Sequence, residues 1–216
     1  MNPSLEYIVK KWNLDLTKSS PIPIRISRFK TFINLLNELG YKKIVEIGIN
    51  KGHYSRILLQ GVKDIRFVGV DPWLAYSDYV ENSREQDKMD AMCHTAHRRL
   101  VPMGATLIRA TSMEAVKNVD DESLDMVFID GNHSFRWVTE DIHEWSKKVR
   151  KGGMIAGHDY WNNVNERPWT PVKNMDERIR LCQVKDVVDA WTKSHQINPW
   201  FIITGDPCQS WFWIKE

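Results

Sequence analysis

The sequence predicts a doubly wound α/β fold, a seven-stranded mixed sheet with a C-terminal antiparallel hairpin and helices on both faces. Short apolar runs bounded by glycine or aspartate alternate with longer segments in which apolar residues recur every three or four positions. This alternation is typical of a parallel sheet covered by helices. Two aromatic segments near the C-terminus flank the turn-rich GDPCQ, which favours an antiparallel hairpin. A chain of 216 residues is long enough for one such domain with a buried core.

The individual elements follow from the spacing of apolar residues. Five short apolar runs predict parallel strands at residues 42–48, 65–70, 105–109, 124–129 and 153–157, and the hairpin strands follow at 200–204 and 210–214. Helical spacing predicts helices at residues 27–39, 53–60, 84–100, 112–116, 135–149 and from 176 to about 193. Residues 27–216 therefore form the main domain. Residues 1–26 are expected either to cover a cofactor as a lid or to contribute to a homodimer.

Composition excludes several classes of protein. Thirty basic and 28 acidic residues leave a formal charge of +2, which does not indicate a surface for nucleic acid or an anionic membrane. Three widely spaced cysteines favour reduced thiols over a disulfide framework. The N-terminal residues lack the apolar centre of a signal peptide, and no run approaches the ~20 apolar residues of a membrane span. We therefore expect a soluble, cytoplasmic protein.

A glycine loop follows the first predicted strand. Residues 46–52, EIGINKG, lead directly into a helix, where glycines let the backbone approach a ligand and the helix start offers free N–H groups. The G-x-x-x-G spacing differs from the G-x-G-x-x-G of dinucleotide-binding loops, which argues against NAD. At the end of the second strand, in VGVDPW, the carboxylate of Asp71 can accept hydrogen bonds from the ribose hydroxyls of a nucleoside cofactor.

These two motifs, together with FIDGNHSF and AGHDYW, resemble those of the class I S-adenosylmethionine-dependent methyltransferases, a Rossmann-like family, over roughly residues 44–160. The sequence is most similar to the small-molecule O-methyltransferases of the catechol, macrolide-sugar and cephalosporin types. The resemblance implies an enzyme that transfers a methyl group from S-adenosylmethionine to a hydroxyl of a small molecule such as a sugar or phenol. The cofactor-binding residues it implies are Glu46, Gly48, Asn50, Gly52, Asp71, Pro72, Trp73, Thr111, Ser112 and Asp130.

Two positions depart from the pattern of this family. Asn50 stands where many relatives have glycine, so a side chain can contact the cofactor there. After the third strand, relatives often have an acid near the adenine, whereas this chain has Thr111 and Ser112. We expect one of these two hydroxyls to contact the adenine edge.

The ends of the fourth and fifth strands carry residues suited to a metal ion. Asp130 follows the fourth strand, and His158 and Asp159 follow the fifth, so their side chains are expected to converge at one edge of the sheet. Metal-dependent relatives bind Mg²⁺ through residues at these places. His158 stands where an acid is more usual, and imidazole favours zinc, iron or manganese. The identity of a divalent ion, and whether one is required, stay open.

His133 lies three residues after Asp130, where the resembling enzymes place a general base. An imidazole, with an ordinary pKa of ~6.5, can accept a hydroxyl proton near neutral pH. Asp130 and His133 are therefore the expected catalytic residues. Two alternatives stay open: a metal-independent N- or carboxyl-methyltransferase of the same fold, and a non-catalytic S-adenosylmethionine-binding protein. We expect the acceptor to be chosen by the N-terminal segment and by the loop at residues 161–174, which contains two tryptophans.

Overall fold

The computed structural model describes residues 2–76, 85–161 and 182–216. Within these residues, eight strands form one sheet. In chain order they are β1 (Ile22–Ile24), β2 (Lys43–Ile47), β3 (Arg66–Val70), β4 (Thr106–Ile108), β5 (Leu124–Ile129), β6 (Val149–Gly157), β7 (Phe201–Ile203) and β8 (Ser210–Ile214). Their order across the sheet is β1-β7-β8-β6-β5-β2-β3-β4. Strand β8 is antiparallel to both of its neighbours, β6 and β7, and the other adjacent pairs are parallel.

Helices cover both faces of the sheet. They are α1 (Pro3–Trp12), α2 (Thr31–Glu38), α3 (His53–Gly61), α4 (Gln86–Leu100), α5 (Ser112–Ala115), α6 (Phe135–Lys148) and α7 (Val184–Ser194). Side chains alternate between the two faces along each strand, so Ile44 and Met126 pack under α1 to α4 whereas Val45 and Val127 pack under α6 and α7. This double burial explains why the central strands have continuous apolar sequences.

The predicted α/β class is confirmed, and the differences lie at the N-terminus. The described sheet has eight strands and not seven, because β1 pairs with β7 and forms the edge of the sheet. A run of three residues containing Pro23 gives too little periodicity to predict a strand. Helix α1 was also missed, although Leu5 and Ile8 contribute to the core. The predicted role of residues 1–26 as a lid or dimer contact stays a prediction.

Several boundaries shift. Helix α2 begins at Thr31, four residues later than predicted, and β6 begins at Val149, four residues earlier. The predicted first residue of α4, Arg84, and the predicted start of the last helix at residue 176 lie outside the described residues, as does the predicted acceptor loop beyond Trp161. Within the described ranges, every helix is too short or too polar to cross a bilayer.

Strand order reverses between β2 and β5, because the chain proceeds from β2 to β3 on one side and later returns to β5 on the other. The carboxyl ends of β2 to β6 lie along one edge of the sheet, since these strands are parallel. A ligand crevice is expected at this point in doubly wound sheets.

Candidate active site

A cavity of about 720 Å³ lies at the carboxyl ends of the parallel strands. Eleven of the site residues predicted from the sequence line it: Glu46, Gly48, Asn50, Asp71, Pro72, Thr111, Ser112, Asp130, His133, His158 and Asp159. The other two lie behind its wall. Gly52 directly precedes α3 and lies in the left-handed region, with φ +71°, and the fully buried Trp73 donates from Nε1 to the carbonyl oxygen of Asn50 at 2.8 Å.

Gly48 allows two strand-end loops to approach each other. Its φ is +88°, and a Cβ atom there would lie 2.0 Å from the carbonyl oxygen of Asp130. The backbone N–H of Asp130 in turn donates to the carbonyl of Ile47 at 2.8 Å. The glycine loop and the loop that follows β5 are thus held in direct contact, which any side chain at Gly48 would prevent.

Asp71 organises the glycine loop. Its Oδ2 accepts hydrogen bonds from the backbone N–H groups of Ile49 at 2.9 Å and Asn50 at 2.8 Å, and Oδ1 accepts from the N–H of Trp73 at 2.7 Å. Burial raises the pKa of Asp71, and these three backbone donors oppose that rise. A carboxylate predicted to hold a ribose therefore also fixes the backbone around it.

Two acids and two imidazoles form a compact cluster at the ends of β5 and β6. His133 Nε2 and His158 Nδ1 each lie 3.2 Å from Asp159 Oδ2 and 3.6 Å from Asp130 Oδ1. Burial alone would raise the pKa of both carboxyl groups, but the adjacent imidazoles lower it. The pKa of His158 is raised well above its usual range by Asp130, despite burial. The predicted convergence of these side chains is present in the fold.

Sequence reasoning missed one member of this cluster. The Cys208 thiol donates to Asp159 Oδ1 at 2.9 Å, and the ligand atoms of His158, Asp159 and Cys208 lie within 4.8 Å of one another. Cys208 lies in the turn between β7 and β8, and only the antiparallel pairing of the hairpin returns that turn to the end of β6. A lone cysteine in a turn gave no signal in the sequence.

Asp141 is a second group that was missed. It lies on α6 with only 3% of its surface exposed, and it lines the cavity. Ser112 Oγ donates to its carboxylate, and Trp145 Nε1 donates to Ser112 Oγ at 2.7 Å. A signal was available, because Val138, Asp141, Ile142 and Trp145 share one helical face that is otherwise apolar.

The Thr111 and Ser112 hydroxyls have partners within the protein. Thr111 caps α5 in a reciprocal arrangement with Glu114, in which its Oγ1 accepts from the Glu114 backbone N–H at 3.3 Å. Ser112 Oγ bridges Trp145 and Asp141. These contacts place the two residues at the cavity wall with their side chains already oriented.

A family model described as a methyltransferase domain matches residues 45–160, which contain the glycine loop, Asp71 and the acid–imidazole cluster. The chain belongs to this methyltransferase family. The membership confirms the predicted enzyme class, and the fold agrees with it. A provisionally assigned caffeoyl-CoA O-methyltransferase from Staphylococcus aureus superposes with a TM-score of 0.65 at 16% identity over 98% of both chains.

Three further comparisons extend this result. An O-methyltransferase from Bacillus cereus, solved with S-adenosylhomocysteine (SAH), superposes over 100% of this chain and 92% of its own, with a TM-score of 0.60 and 15% identity. Protein R132 of Acanthamoeba polyphaga mimivirus is 28% identical to this chain, over a segment that covers 59% of this chain and 53% of R132. A Sinorhizobium fredii protein, y4gI, is 25% identical over 58% of this chain and 14% of its own. The chain thus spans well under two thirds of the length of these curated relatives.

Proposed function

We propose that this chain transfers a methyl group from S-adenosylmethionine to a hydroxyl of a small molecule, with a sugar or phenol as the acceptor class. One observation carries the proposal: a single cavity joins the glycine loop to the cluster of Asp130, His133, His158 and Asp159. One wall is suited to a nucleoside cofactor and the other to proton transfer, so donor and acceptor would meet between them. The SAH bound to the B. cereus enzyme supports the choice of cofactor.

We place the cofactor along the strand ends. Gly48 and Asn50 present backbone to its centre, and Thr111 and Ser112 border the adenine end of the cavity. Asp71 Oδ1 accepts one backbone hydrogen bond at 2.7 Å, so its second lone pair is available to a ribose hydroxyl. The mechanism then requires the acceptor oxygen to lie in line with the sulfonium methyl and to lose its proton.

His133 is the proposed base. Its side chain is 11% exposed and borders the cavity, and Asp159 Oδ2, 3.2 Å from Nε2, would stabilise the imidazolium that forms when it accepts the proton. Asp130 lies 3.6 Å from the same nitrogen and would hold the ring in position. Both carboxylates therefore support the same proton transfer.

We further propose a divalent ion held by Asp130, His158 and Asp159, with the Cys208 thiol beside it. The donor chemistry fits such an ion, because carboxylate, imidazole and thiol ligands lie within coordinating reach of one another. Imidazole and thiol donors favour zinc or iron over Mg²⁺. When bound, the ion would lower the pKa of the acceptor hydroxyl and fix its direction.

Binding of SAH to the purified protein, measured by calorimetry, tests the cofactor assignment. Transfer of labelled methyl to phenol and sugar acceptors, with and without chelator, tests the reaction. We expect His133→Asn to lower kcat by about 10²–10⁴-fold while the Kd of SAH stays unchanged. His143→Asn, on the exposed face of α6, is the matched control and should leave both unchanged.

Each part of the proposal can fail separately. Absence of SAH binding would contradict the cofactor assignment and, with it, the proposed reaction. Turnover that is insensitive to chelator, with no metal in the purified protein by elemental analysis, would exclude the ion and leave a metal-independent methyltransferase. Equal kcat in the His133 variant and its control would exclude the base.

A further inference from the structure

One end of the cavity is lined by polar side chains in which single buried atoms have no hydrogen-bond partner. Buried side-chain atoms without a hydrogen bond to any described residue include Nε and Nη1 of Arg28, Oε2 of Glu46 and the hydroxyl of Tyr54. All three side chains line the cavity. Buried polar atoms in folded proteins are normally paired, so this group indicates a ligand that supplies the missing partners.

Arg28 is held rigidly at this place. It lies between β1 and α2, and its backbone N–H donates to Asp206 Oδ2 at 2.6 Å, from the turn between β7 and β8. Its guanidinium carbon lies 4.8 Å from the ring centroid of Phe29 and 4.9 Å from that of Tyr54. Aromatic contacts of this kind stabilise the cation and orient its plane, so the N–H donors at its edge are fixed in direction.

The charges at this end of the cavity match an α-amino acid. Arg28 offers a cation whose planar fork fits a carboxylate. Burial raises the pKa of Glu46 to about 8, so its carboxyl group would ionise and accept hydrogen bonds when an ammonium group is bound beside it. Within the described part of the chain, neither residue forms an ion pair within 4 Å, and they are not paired with each other. A zwitterion placed between them would satisfy both.

We propose that Arg28 binds the α-carboxylate of the methionine part of the cofactor, with Glu46 accepting from its α-ammonium group. The inference rests on the proposed function and adds a binding residue outside the family match at residues 45–160. Because Arg28 contacts the amino-acid part alone, it makes the site selective for nucleosides that carry an amino acid. SAH would be bound in preference to 5′-methylthioadenosine, which has the same nucleoside and lacks the amino acid.

Calorimetric titration of both ligands into the full chain tests this selectivity. We expect Arg28→Gln to weaken SAH binding by about 10–100-fold, the equivalent of about one charge-assisted hydrogen bond. Binding of 5′-methylthioadenosine should stay within about twofold of the wild-type value, since the nucleoside contacts are intact. Arg28→Lys should recover part of the SAH affinity, because it keeps the charge and loses the planar fork.

Arg25→Gln is the matched control, since Arg25 is exposed, lies three residues earlier and does not line the cavity. It should leave both affinities unchanged. If Arg28→Gln weakens the binding of both ligands equally, the pocket has collapsed generally and the inference is overturned. Unchanged SAH affinity in this variant would also overturn it, as would a wild type that does not prefer SAH. If the wild type binds neither nucleoside, the proposed function fails as well, so the two failures are distinguishable.

Discussion

Asp141 is a buried acid whose replacement by asparagine should change how stability depends on pH. It is 3% exposed, and burial raises its pKa to about 7, with the hydrogen bond from Ser112 acting in the opposite direction. In Asp141→Asn the side-chain amide keeps an oxygen that can accept from Ser112, but it carries no charge at any pH. The substitution therefore removes one titration and preserves most of the packing.

The direction of this pH dependence of stability follows from proton linkage. The folded protein binds a proton at Asp141 more tightly than the unfolded chain does, so the free energy of unfolding falls as pH rises from about 4 to about 7 and then levels off. The size of this decrease follows from the Asp141 pKa of about 7 in place of 3.8. The free energy of unfolding falls by about 1.4 kcal/mol per pH unit, and so by at most about 4 kcal/mol in total. Above pH 7 the wild type contains a buried, ionised carboxylate that the variant lacks.

Urea unfolding monitored by tryptophan fluorescence at pH 5, 6, 7 and 8 measures this effect. We expect the free energy of unfolding of the variant, relative to wild type, to rise by about 2–3 kcal/mol across this range. Asp120→Asn, at an exposed aspartate, is the control and should show no such trend. A difference between Asp141→Asn and wild type that stays constant with pH would refute the reasoning, because Asp141 would then have the same proton affinity in both states.

Two further substitutions test the walls of the cavity. Gly48→Ala should abolish SAH binding and lower the melting temperature, because its Cβ would lie 2.0 Å from the Asp130 carbonyl oxygen. Gly104 is the control, since it shares the φ of +88° but a Cβ there would have no atom within 4 Å. Equal calorimetric and melting results for the two alanine variants would contradict the role of close approach at Gly48. Ser112→Ala should lower the free energy of unfolding, measured in urea, by about 1–3 kcal/mol, because it leaves the buried Asp141 carboxyl and the Trp145 indole N–H without this partner. A loss below about 0.5 kcal/mol would mean that these groups find other partners.

The central strands were predictable because each is buried on both faces. The strand at 124–129 was predicted with the observed bounds. Its six residues are mostly apolar and are bounded by turn-forming residues, a pattern typical of a strand that is buried on both faces of a sheet. Strand β1 and helix α1 were not, because three residues around a proline and a short amphipathic stretch give weak local signals. Their stability comes from contacts with the distant strand β7 and with the core.

The candidate site was predictable to a similar degree. Asp130, His158 and Asp159 were expected to converge because parallel strands bring their carboxyl ends to one edge, and the fold places them within reach of one another. Arg28 and Cys208 were not expected, since each reaches the site through a turn or segment whose position depends on pairing with remote strands. No spacing along the chain encodes that proximity.

The sequence by itself determined the α/β class, the glycine loop and the residue types at the strand ends, because hydrophobic periodicity and turn chemistry are local properties of the chain. Only the tertiary structure decided which side chains share the cavity and what each one contacts there. It assigned Asp71 to the backbone of the glycine loop, buried Asp141 against Ser112 at the cavity wall, and placed unpaired atoms of Arg28 and Glu46 in the lining of the same cavity. Burial and the pairing of charges depend on residues far apart in the sequence, so they emerge only when the chain is folded.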